Sequence, residues 1–542
     1  MLIGMFKPTL LSLLMFSLIQ VNAFAQAPKL VVGIVVDQMR NDYLYRFWGD
    51  FGEGGFKRLI NEGTYAPNTF FTYVSTSTGP GHASIYTGTT PSNHGIAGNT
   101  WYDRKTGSMM YCVLDEQAKG IGTDLEVGHR SPVNLIGSSL PDMLKLNNDG
   151  HSVVVSIGIK DRSAILPGGH TADVVLWWDD KTGNWITSDY YGEKLPNWVR
   201  TFNSNHPSSS YLKEWKSLKE WNENDAHNKF EEGFDKTIKV DFPYNFEMLA
   251  KSEGLHVLKS SPYGNTYTFD LAKAAVEGQQ MGADDVSDFL AISFSSTDYI
   301  GHKFGPYSAE VHDTYVRFDK DLEDFLNMLD ENLKEDYLLF LTADHGVMPN
   351  GEYLSSLKMP ANRFDYINFQ KEIANFLQRK YNSDSLLLKV MNDQIYLNEE
   401  QIKKMGIAAD NVERSLVNFL YTKGEIKVAL TSKDLRFKEY NHFPHSLLQK
   451  GFHAQRSGNI LFQLQPYSNN AAYTKGAGHS SAYNYDTQVP LIWYGKGIRS
   501  GKVIHDNFAI TQIAPTLADL LKIQRPPMCD VESMTDVIME NR

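Results

Sequence analysis

The sequence has few cysteines and a deficit of positive charge. Its 542 residues include only two Cys, which excludes a disulfide scaffold and cysteine-rich zinc modules. Lys and Arg total 52 against 64 Asp and Glu, for a net charge of -12. A general nucleic-acid binder carries a basic face, so this balance argues against one. It leaves a phosphate-handling site open, because bound cations reverse the field inside a cleft.

The remaining composition is that of a folded protein. Hydrophobic residues make up 42% of the chain and charged residues 21%, a balance that disordered chains do not have. At about 150 residues per domain, length alone suggests three or four domains.

The N-terminus has the pattern of a secretion signal. Residues 1–7 carry one cation, residues 9–21 form an apolar run, and Ala23 and Ala25 supply the small residues that a signal peptidase reads. The run is shorter than the roughly 20 residues that span a bilayer, and no Cys lies nearby to carry a lipid. We therefore predict a cleaved signal peptide over residues 1–25 and no membrane anchor.

Buried strands alternate with amphipathic helices along much of the chain. Residues 30–36 form a continuous apolar, β-branched run, which indicates a strand buried on both faces. In residues 310–333 apolar side chains recur in steps of four and three, and residues 513–521 repeat this after Thr511, a candidate cap. The pattern predicts an α/β fold with a mostly parallel sheet. Four more apolar runs resemble the first: residues 153–157, 289–294, 337–341 and 489–494.

Two regions break the alternation. Residues 175–265 are rich in Trp, Tyr, Asn, Ser and Lys, which indicates irregular structure. Residues 350–470 combine a helix over 369–380 with short alternating strands. We interpret both regions as insertions that cap one core, so that residues 26–542 form a single domain.

Three Asp and three His lie near presumed strand ends, where ligands of parallel sheets bind. Each alone has a structural alternative as a turn former, a helix cap or a surface residue. Together they suit Zn²⁺, and Mn²⁺ or Fe less well. Two such ions about 4 Å apart can activate a nucleophile and stabilise a leaving oxygen in phosphoryl transfer. The six residues are Asp37, Asp298, His302, Asp344, His345 and His479.

Residues 75–84, Ser-Thr-Ser-Thr-Gly-Pro-Gly-His-Ala-Ser, supply hydroxyl groups that are candidate nucleophiles. Metal coordination is one way to convert a hydroxyl into an alkoxide. A Gly-rich turn that opens a helix also directs N–H groups at a bound anion. Without the metal ligands the segment would read as an ordinary helix cap. We expect His82 to pack in the interior instead of binding metal.

Five segments together resemble the alkaline phosphatase superfamily: residues 30–40, 76–82, 91–99, 297–302 and 343–346. The pattern is most similar to the phosphate-irrepressible type of alkaline phosphatase, a monoesterase with a Thr nucleophile. The resemblance implies an α/β three-layer sandwich with a mostly parallel central sheet and inserted cap regions. Related sequences often have Pro where this chain has Ser75, which loosens the prediction of the local turn.

The same resemblance implies a role for each candidate residue. Thr78 would be the nucleophile. Two Zn²⁺ ions per chain would be held, the first by Asp298, His302 and His479, and the second by Asp37, Asp344, His345 and the Thr78 oxygen.

Lys160 and Arg162 bear on the class of substrate. If the chain stays extended after the strand at residues 153–157, both cations share a face and Asp161 points away. A monoester carries more charge on its non-bridging oxygens than a diester, which suits an Arg and a Lys together. Alone, Lys-x-Arg would indicate a solvated loop. The resemblance implies that Asn99, Lys160 and Arg162 bind the phosphoryl oxygens of monoesters.

We therefore predict a periplasmic, metal-dependent phosphate monoester hydrolase that acts on small molecules, as a monomer, without a nucleic-acid partner. A phosphodiesterase or nucleotide pyrophosphatase on the same fold is the alternative, which Lys160 and Arg162 disfavour. A sulfatase would need a Cys/Ser-x-Pro-x-Arg motif that the sequence lacks. A catalytically silent anion-binding protein is the alternative from another class. Mn²⁺, Fe and Ca²⁺ stay open beside zinc, as does a disulfide between Cys112 and Cys529.

Overall fold

The computed structural model describes residues 27–219, 242–470 and 476–539. The predicted signal peptide over residues 1–25 lies outside the described residues. Within the described ranges, no helix combines the length and hydropathy needed to cross a bilayer. Cys112 and Cys529, whose pairing the sequence left open, are both free thiols.

A ten-stranded sheet with five parallel strands at its centre organises the chain. The strand Leu30–Val36 has the predicted bounds, is buried throughout and is paired on both sides, as a β-branched run covered on both faces requires. In spatial order the strands are Lys502–Val503, Thr64–Tyr65, Leu491–Gly495, Tyr337–Thr342, Leu30–Val36, Asp288–Phe294, Val154–Gly158, Val174–Asp179, Asn184–Ser188 and Gly120–Ile121.

Helices cover both faces of this sheet and produce three layers. Phe289 packs against Tyr86 of one helical layer. Phe294, at a position of opposite parity on the same strand, packs against Phe269 and Phe318 of the other. The first layer contains Thr78–Thr87, Leu140–Asn147, Asp161–Gly168 and Ile513–Leu521, and the second contains Asn197–Asn205, Tyr263–Gly278, Ser296–Phe304 and Ala309–Leu333.

Part of the first predicted insertion is sheet. Residues 174–188 form two strands of the central sheet and the turn between them. Trp177, Trp178 and Trp185 are all buried there. The Trp-rich composition that suggested irregular structure therefore supplies the apolar surface of two strands.

One predicted strand has shifted bounds, and one predicted helix cap is wrong. The strand predicted at 489–494 runs from Leu491 to Gly495 and pairs antiparallel with Tyr337–Thr342. Thr511 lies inside a short 3₁₀ helix, so it does not cap the helix Ile513–Leu521. Parallel and antiparallel strands have the same apolar pattern when both faces are covered, so the sequence pattern did not reveal the direction of this strand.

The second inserted region, residues 350–470, has a sheet and an apolar cluster of its own. The predicted helix over 369–380 is Tyr366–Tyr381. We call the described chain outside residues 350–470 the main body. Its hairpin of Thr100–Asp103 and Ser108–Tyr111 contacts this second sheet. The second sheet contains Leu387–Met391, Gln394–Leu397, Ile460–Leu464 and Ile426–Thr431. Besides Tyr366–Tyr381, the helices of this region include Glu399–Lys404, Ala409–Leu420, Ser432–Phe437 and His445–Gly451.

Gly33 allows close packing at the centre of the sheet, which yields a stability prediction. A Cβ at Gly33 would lie 2.6 Å from the Tyr86 hydroxyl and 2.7 Å from the Phe340 ring. Gly33→Ala should therefore lower the free energy of unfolding by about 1–3 kcal/mol through overpacking. Denaturant titration measures this change. Gly49→Ala, where no atom lies within 4 Å of the new Cβ, is the control and should shift it by under about 0.5 kcal/mol. Equal losses would show that the contact at Gly33 is not the cause.

Candidate active site

Three neighbouring parallel strands carry carboxylates just beyond their ends. Asp37 follows Leu30–Val36, Asp298 lies in the first turn of the helix that follows Asp288–Phe294, and Asp344 follows Tyr337–Thr342. The strands end level, because Val36 pairs with Phe294 and Val35 with Thr342. All three carboxylates are buried. The register of the sheet therefore brings Asp37 next to two carboxylates that lie roughly 300 residues further along the chain.

The ligand atoms gather in two groups that share one histidine. Asp37, Asp344 and His345 have ligand atoms within 4.8 Å of one another, and so do Asp298, His345 and His479. The first group contains the protein side chains expected for one zinc apart from Thr78. The second has His345 where His302 was expected, because the His345 ring stacks on His479 at 3.7 Å. His302 is adjacent, with Nε2 3.2 Å from Asp298 Oδ1.

Three histidines are held in the same orientation by backbone carbonyls. Nδ1 of His302, His345 and His479 lies 2.7, 2.8 and 2.8 Å from a carbonyl oxygen. A proton on Nδ1 satisfies each of these contacts and leaves the Nε2 lone pair facing the carboxylates, which is the arrangement of metal-binding imidazoles. The carbonyls belong to Ala477, Gly346 and Thr76.

The carboxylates repel one another in this buried setting. Burial, and then repulsion from Asp344, raises the pKa of Asp37 well above its usual value. Burial likewise raises the pKa of Asp344 to about 6. Burial opposes ionisation of Asp298 too, but His302 and Lys160 hold its pKa well below its usual value. Burial lowers the pKa of His345 to about 3, so this imidazole is neutral.

Unpaired atoms in the first group fit a metal ion. Asp37 Oδ1, Asp344 Oδ2 and His345 Nε2 are buried and have no hydrogen-bond partner. Buried acceptors without donors cost free energy, and a cation among them would satisfy all three. Carboxylate oxygens together with imidazole nitrogens are a ligand set that zinc accepts.

Thr78 begins a helix directly beside these ligands. The helix is Thr78–Thr87, and Thr78 is buried. Lys160 Nζ donates to Thr78 Oγ1 at 3.2 Å, to Asp37 Oδ2 at 2.7 Å and to Asp298 Oδ2 at 2.6 Å. The lysine thus joins the candidate nucleophile to both ligand groups. His82 packs beneath, its ring nitrogens 2.9 Å from the Thr78 carbonyl and from Ser293 Oγ, as expected for a packing residue.

Asn99 is oriented by the start of the same helix. The Gly79 N–H donates to Asn99 Oδ1 at 2.7 Å. This hydrogen bond occupies the amide oxygen of Asn99 and holds the Asn99 side chain at the Thr78 end of the helix. A Gly79 Cβ would lie 3.1 Å from that oxygen, so the close approach relies on glycine.

Arg162 does not lie on an extended segment, contrary to the prediction from the sequence. A helix begins at Asp161, so Lys160 is the last extended residue. The Asp161 side chain does not point away: it accepts from the Tyr111 hydroxyl and from Arg130 Nε, the latter at 2.8 Å. Arg162 Nη1 donates to that Tyr111 hydroxyl at 3.1 Å, and its Nε is buried without a partner.

Sequence reasoning missed two supporting groups. The side-chain amide of Gln38 donates to Asp298 Oδ1 at 2.6 Å, and the backbone N–H of Gln38 donates to Asp344 Oδ1 at 3.1 Å. Its place directly after Asp37 was a usable signal. Tyr111 had no such signal, because it reaches Arg162 from a hairpin about 50 residues away in sequence.

Comparison with known proteins identifies the family. The family described as Type I phosphodiesterase / nucleotide pyrophosphatase matches residues 31–482. The chain belongs to this family. Alkaline phosphatase PafA from Elizabethkingia meningoseptica is 39% identical to this chain over 518 residues, which cover 94% of each chain. A protein from Myroides odoratus named calcium-transporting ATPase is 40% identical over 510 residues, or 92% of this chain and 93% of its own.

Solved structures extend the likeness to the whole fold. The crystal structure of wild-type alkaline phosphatase PafA has a TM-score of 0.89 at 38% identity and covers 94% of this chain and 99% of its own. A PafA variant with substitutions at a threonine, an asparagine, a lysine and an arginine has a TM-score of 0.88 at 36% identity, with the same coverage. These likenesses confirm the resemblance to the alkaline phosphatase superfamily and the α/β fold with its mostly parallel sheet.

The unpaired ligand atoms predict stabilisation by zinc. Zinc added to chelator-treated protein should raise Tm by several degrees, because an ion that binds only the folded state stabilises it. Asp344→Asn should reduce this rise, because it replaces one charged oxygen. Differential scanning calorimetry measures both values. Asp506→Asn, at an exposed position, is the control and should keep the full rise. An equal rise in all three proteins would place zinc elsewhere.

Proposed function

We propose that this phosphate monoester hydrolase acts through a phosphothreonine formed on Thr78 with two zinc ions. Its near full-length likeness to an alkaline phosphatase supports the class of reaction. The contact that carries the mechanism is that of Lys160 Nζ, which joins Thr78 Oγ1 to the carboxylates of both ligand groups. A hydroxyl in that position adjoins two cation sites and a permanent positive charge.

The ligand sets are proposed as the resemblance to alkaline phosphatases implies them. Asp298, His302 and His479 would hold one zinc ion. Asp37, Asp344, His345 and Thr78 Oγ1 would hold the other. Bound ions of this type lower the pKa of a coordinated hydroxyl and offset charge on the transferring phosphoryl group.

Thr78 Oγ1 attacks phosphorus in this proposal. The bond from phosphorus to the ester oxygen breaks, the alcohol departs, and the phosphoryl group is left on Thr78. Water then attacks phosphorus, which releases inorganic phosphate and restores the threonine. Burial of Thr78 at a helix start holds the attacking oxygen in one place.

Asn99, Lys160 and Arg162 would bind the phosphoryl oxygens. Burial opposes the charge on Lys160, yet Asp298 and Asp37 raise its pKa, so the ammonium stays charged. The unpartnered Nε of Arg162 leaves a guanidinium donor for an anion. Fixed donors of this type stabilise charge that spreads over the phosphoryl oxygens during transfer.

The paired cations favour monoesters over diesters. Two positive side chains match the larger charge on the non-bridging oxygens of a monoester. The PafA variant is substituted at the same four residue types, and its threonine and asparagine are 21 residues apart, as Thr78 and Asn99 are here. Its lysine and arginine are two residues apart, as Lys160 and Arg162 are. This correspondence supports the roles assigned above.

We further propose that the protein is exported to the periplasm after cleavage of residues 1–25 and works there as a monomer. The support for export is the signal-like composition of that segment.

Thr78→Ala tests the nucleophile. It should lower kcat for an aryl phosphate by roughly a thousandfold or more, because the acceptor oxygen is removed. When a reaction of this variant with a radiolabelled monoester is quenched, no labelled phosphoprotein should be found. Zinc content should fall little, since the other ligands are retained. Thr78→Ser keeps a hydroxyl and should keep measurable turnover, and Thr106→Ala, at an exposed position, should behave as wild type. Near-normal turnover by Thr78→Ala would reject the assignment.

Arg162→Ala tests the preference for monoesters. It should lower kcat/KM for a monoester by roughly 100-fold and for the matching diester by much less, because a diester has less charge for Arg162 to bind. Tyr111→Phe should produce a smaller loss of the same selectivity, since it removes only the hydroxyl that holds Nη1. Steady-state kinetics with one aryl monoester and one aryl diester measure both. Preference of the wild type for the diester would reject monoesterase activity.

A further inference from the structure

A cavity of about 490 Å³ adjoins the candidate active site, between the main body and the second sheet. Asn99, His302 and His479 line it, as do Asn392 and Asp393 from a hairpin of the second sheet. Because three of these residues belong to the proposed catalytic site, the cavity is continuous with that site. The alcohol part of a bound monoester would extend into it.

The lining contains buried oxygen atoms without hydrogen-bond partners. Asn469 Oδ1 and Asp486 Oδ1 have none, although Asn469 is only 6% exposed and Asp486 only 1%. The other polar atom of each side chain is engaged. Asn469 Nδ2 donates to the Gly476 carbonyl at 3.3 Å, and Asp486 Oδ2 accepts from the Ser481 N–H at 2.8 Å. These contacts leave two unsatisfied acceptor oxygens buried in the wall of the cavity, which a ligand with O–H or N–H groups would satisfy.

Away from the candidate metal ligands His302 and His479, the charged side chains of the lining are acidic. Asp393 and Asp486 contribute carboxyl groups, and the described residues that line the cavity include no Lys or Arg. The Tyr366 hydroxyl donates to Asp393 Oδ1 at 2.5 Å and fixes that side chain. A second anionic group on a substrate would meet these carboxylates where screening by water is weak. An uncharged polar group would not.

The wall of the cavity is attached to the main body. Asn392 Nδ2 donates to the Thr100 carbonyl at 2.7 Å, next to Asn99. Asn392 and Asp393 occupy the turn of the hairpin with positive φ values of 49° and 55°, a conformation that Asn and Asp tolerate. Asn392 and Asp393 are therefore part of a formed surface, which lowers the cost of ordering a ligand against them.

We propose that this cavity binds the alcohol part of the phosphate monoester and selects hydroxylated leaving groups over those that carry a second anion. The proposal rests on the phosphomonoesterase function above. Asn469 would accept from a substrate hydroxyl, and Asp393 would repel a substrate carboxylate. Both residues determine specificity without contacting the phosphoryl group.

Three alkyl monoesters test it: glycerol 3-phosphate, propyl phosphate and 2-phosphoglycolate. Asn469→Ala should lower kcat/KM for glycerol 3-phosphate about tenfold, the value of one hydrogen bond, and leave propyl phosphate unchanged. Asp393→Asn should raise kcat/KM for 2-phosphoglycolate several-fold relative to propyl phosphate. Burial raises the pKa of Asp393 to about 6, so an alkaline assay keeps it charged in the wild type. Each comparison uses one substrate across enzymes, which cancels the intrinsic reactivity of the ester.

Asn411→Ala, an exposed asparagine of the same inserted region, is the control and should match the wild type on all three esters. Unchanged turnover of propyl phosphate shows that a variant is folded. Equal losses on glycerol 3-phosphate and propyl phosphate in Asn469→Ala, or an unchanged ratio in Asp393→Asn, would overturn the role of the cavity while leaving the proposed function intact. A wild type that hydrolyses none of the esters, nor an aryl phosphate, would overturn the proposed function itself.

Discussion

Mutual repulsion among three buried carboxylates is the constraint on which the site depends. Asp37, Asp298 and Asp344 lie within one cluster away from water, and like charges in such surroundings require compensation. Lys160 supplies one positive charge, and Gln38 supplies two hydrogen bonds. Burial lowers the pKa of His345 and of His479, so these two rings supply lone pairs instead of charge. The three carboxylates thus carry more negative charge than Lys160 neutralises, and a bound cation would offset the remainder.

Backbone structure positions these groups more than side-chain contacts do. Three parallel strands with level ends place the carboxylates, and three carbonyls set the orientation of the histidines. The helix that begins at Thr78 approaches the strand ends so closely that a Cβ at Gly81 would lie 2.3 Å from the Asp344 carbonyl oxygen. Glycine at that position is what lets the hydroxyl reach the ligands.

Selectivity arises outside the sheet. Arg162 is held by Tyr111, which belongs to a hairpin, and Asp161 is held by Arg130 from a loop. The cavity beside the site is closed by the second sheet, which has its own apolar core. A fold by itself does not fix the substrate, so the ester that the proposed site accepts would depend on these peripheral elements. The comparisons agree with this division. The family that matches the chain is described as phosphodiesterase and nucleotide pyrophosphatase, whereas a relative with 39% identity is named an alkaline phosphatase.

Local pattern was enough to locate the strand Leu30–Val36, the helix Ala309–Leu333 and the acidic and histidine residues that follow the strands. These signals are short-range, because burial periodicity and residue type lie in adjacent positions. The antiparallel direction of Leu491–Gly495, the helix that begins at Asp161 and the contact of Tyr111 with Arg162 were not readable. Each depends on which distant segment packs alongside, and a local sequence pattern does not specify that partner. The sequence by itself therefore determined the chemistry available, and the tertiary structure decided which groups meet and which substrate they can receive.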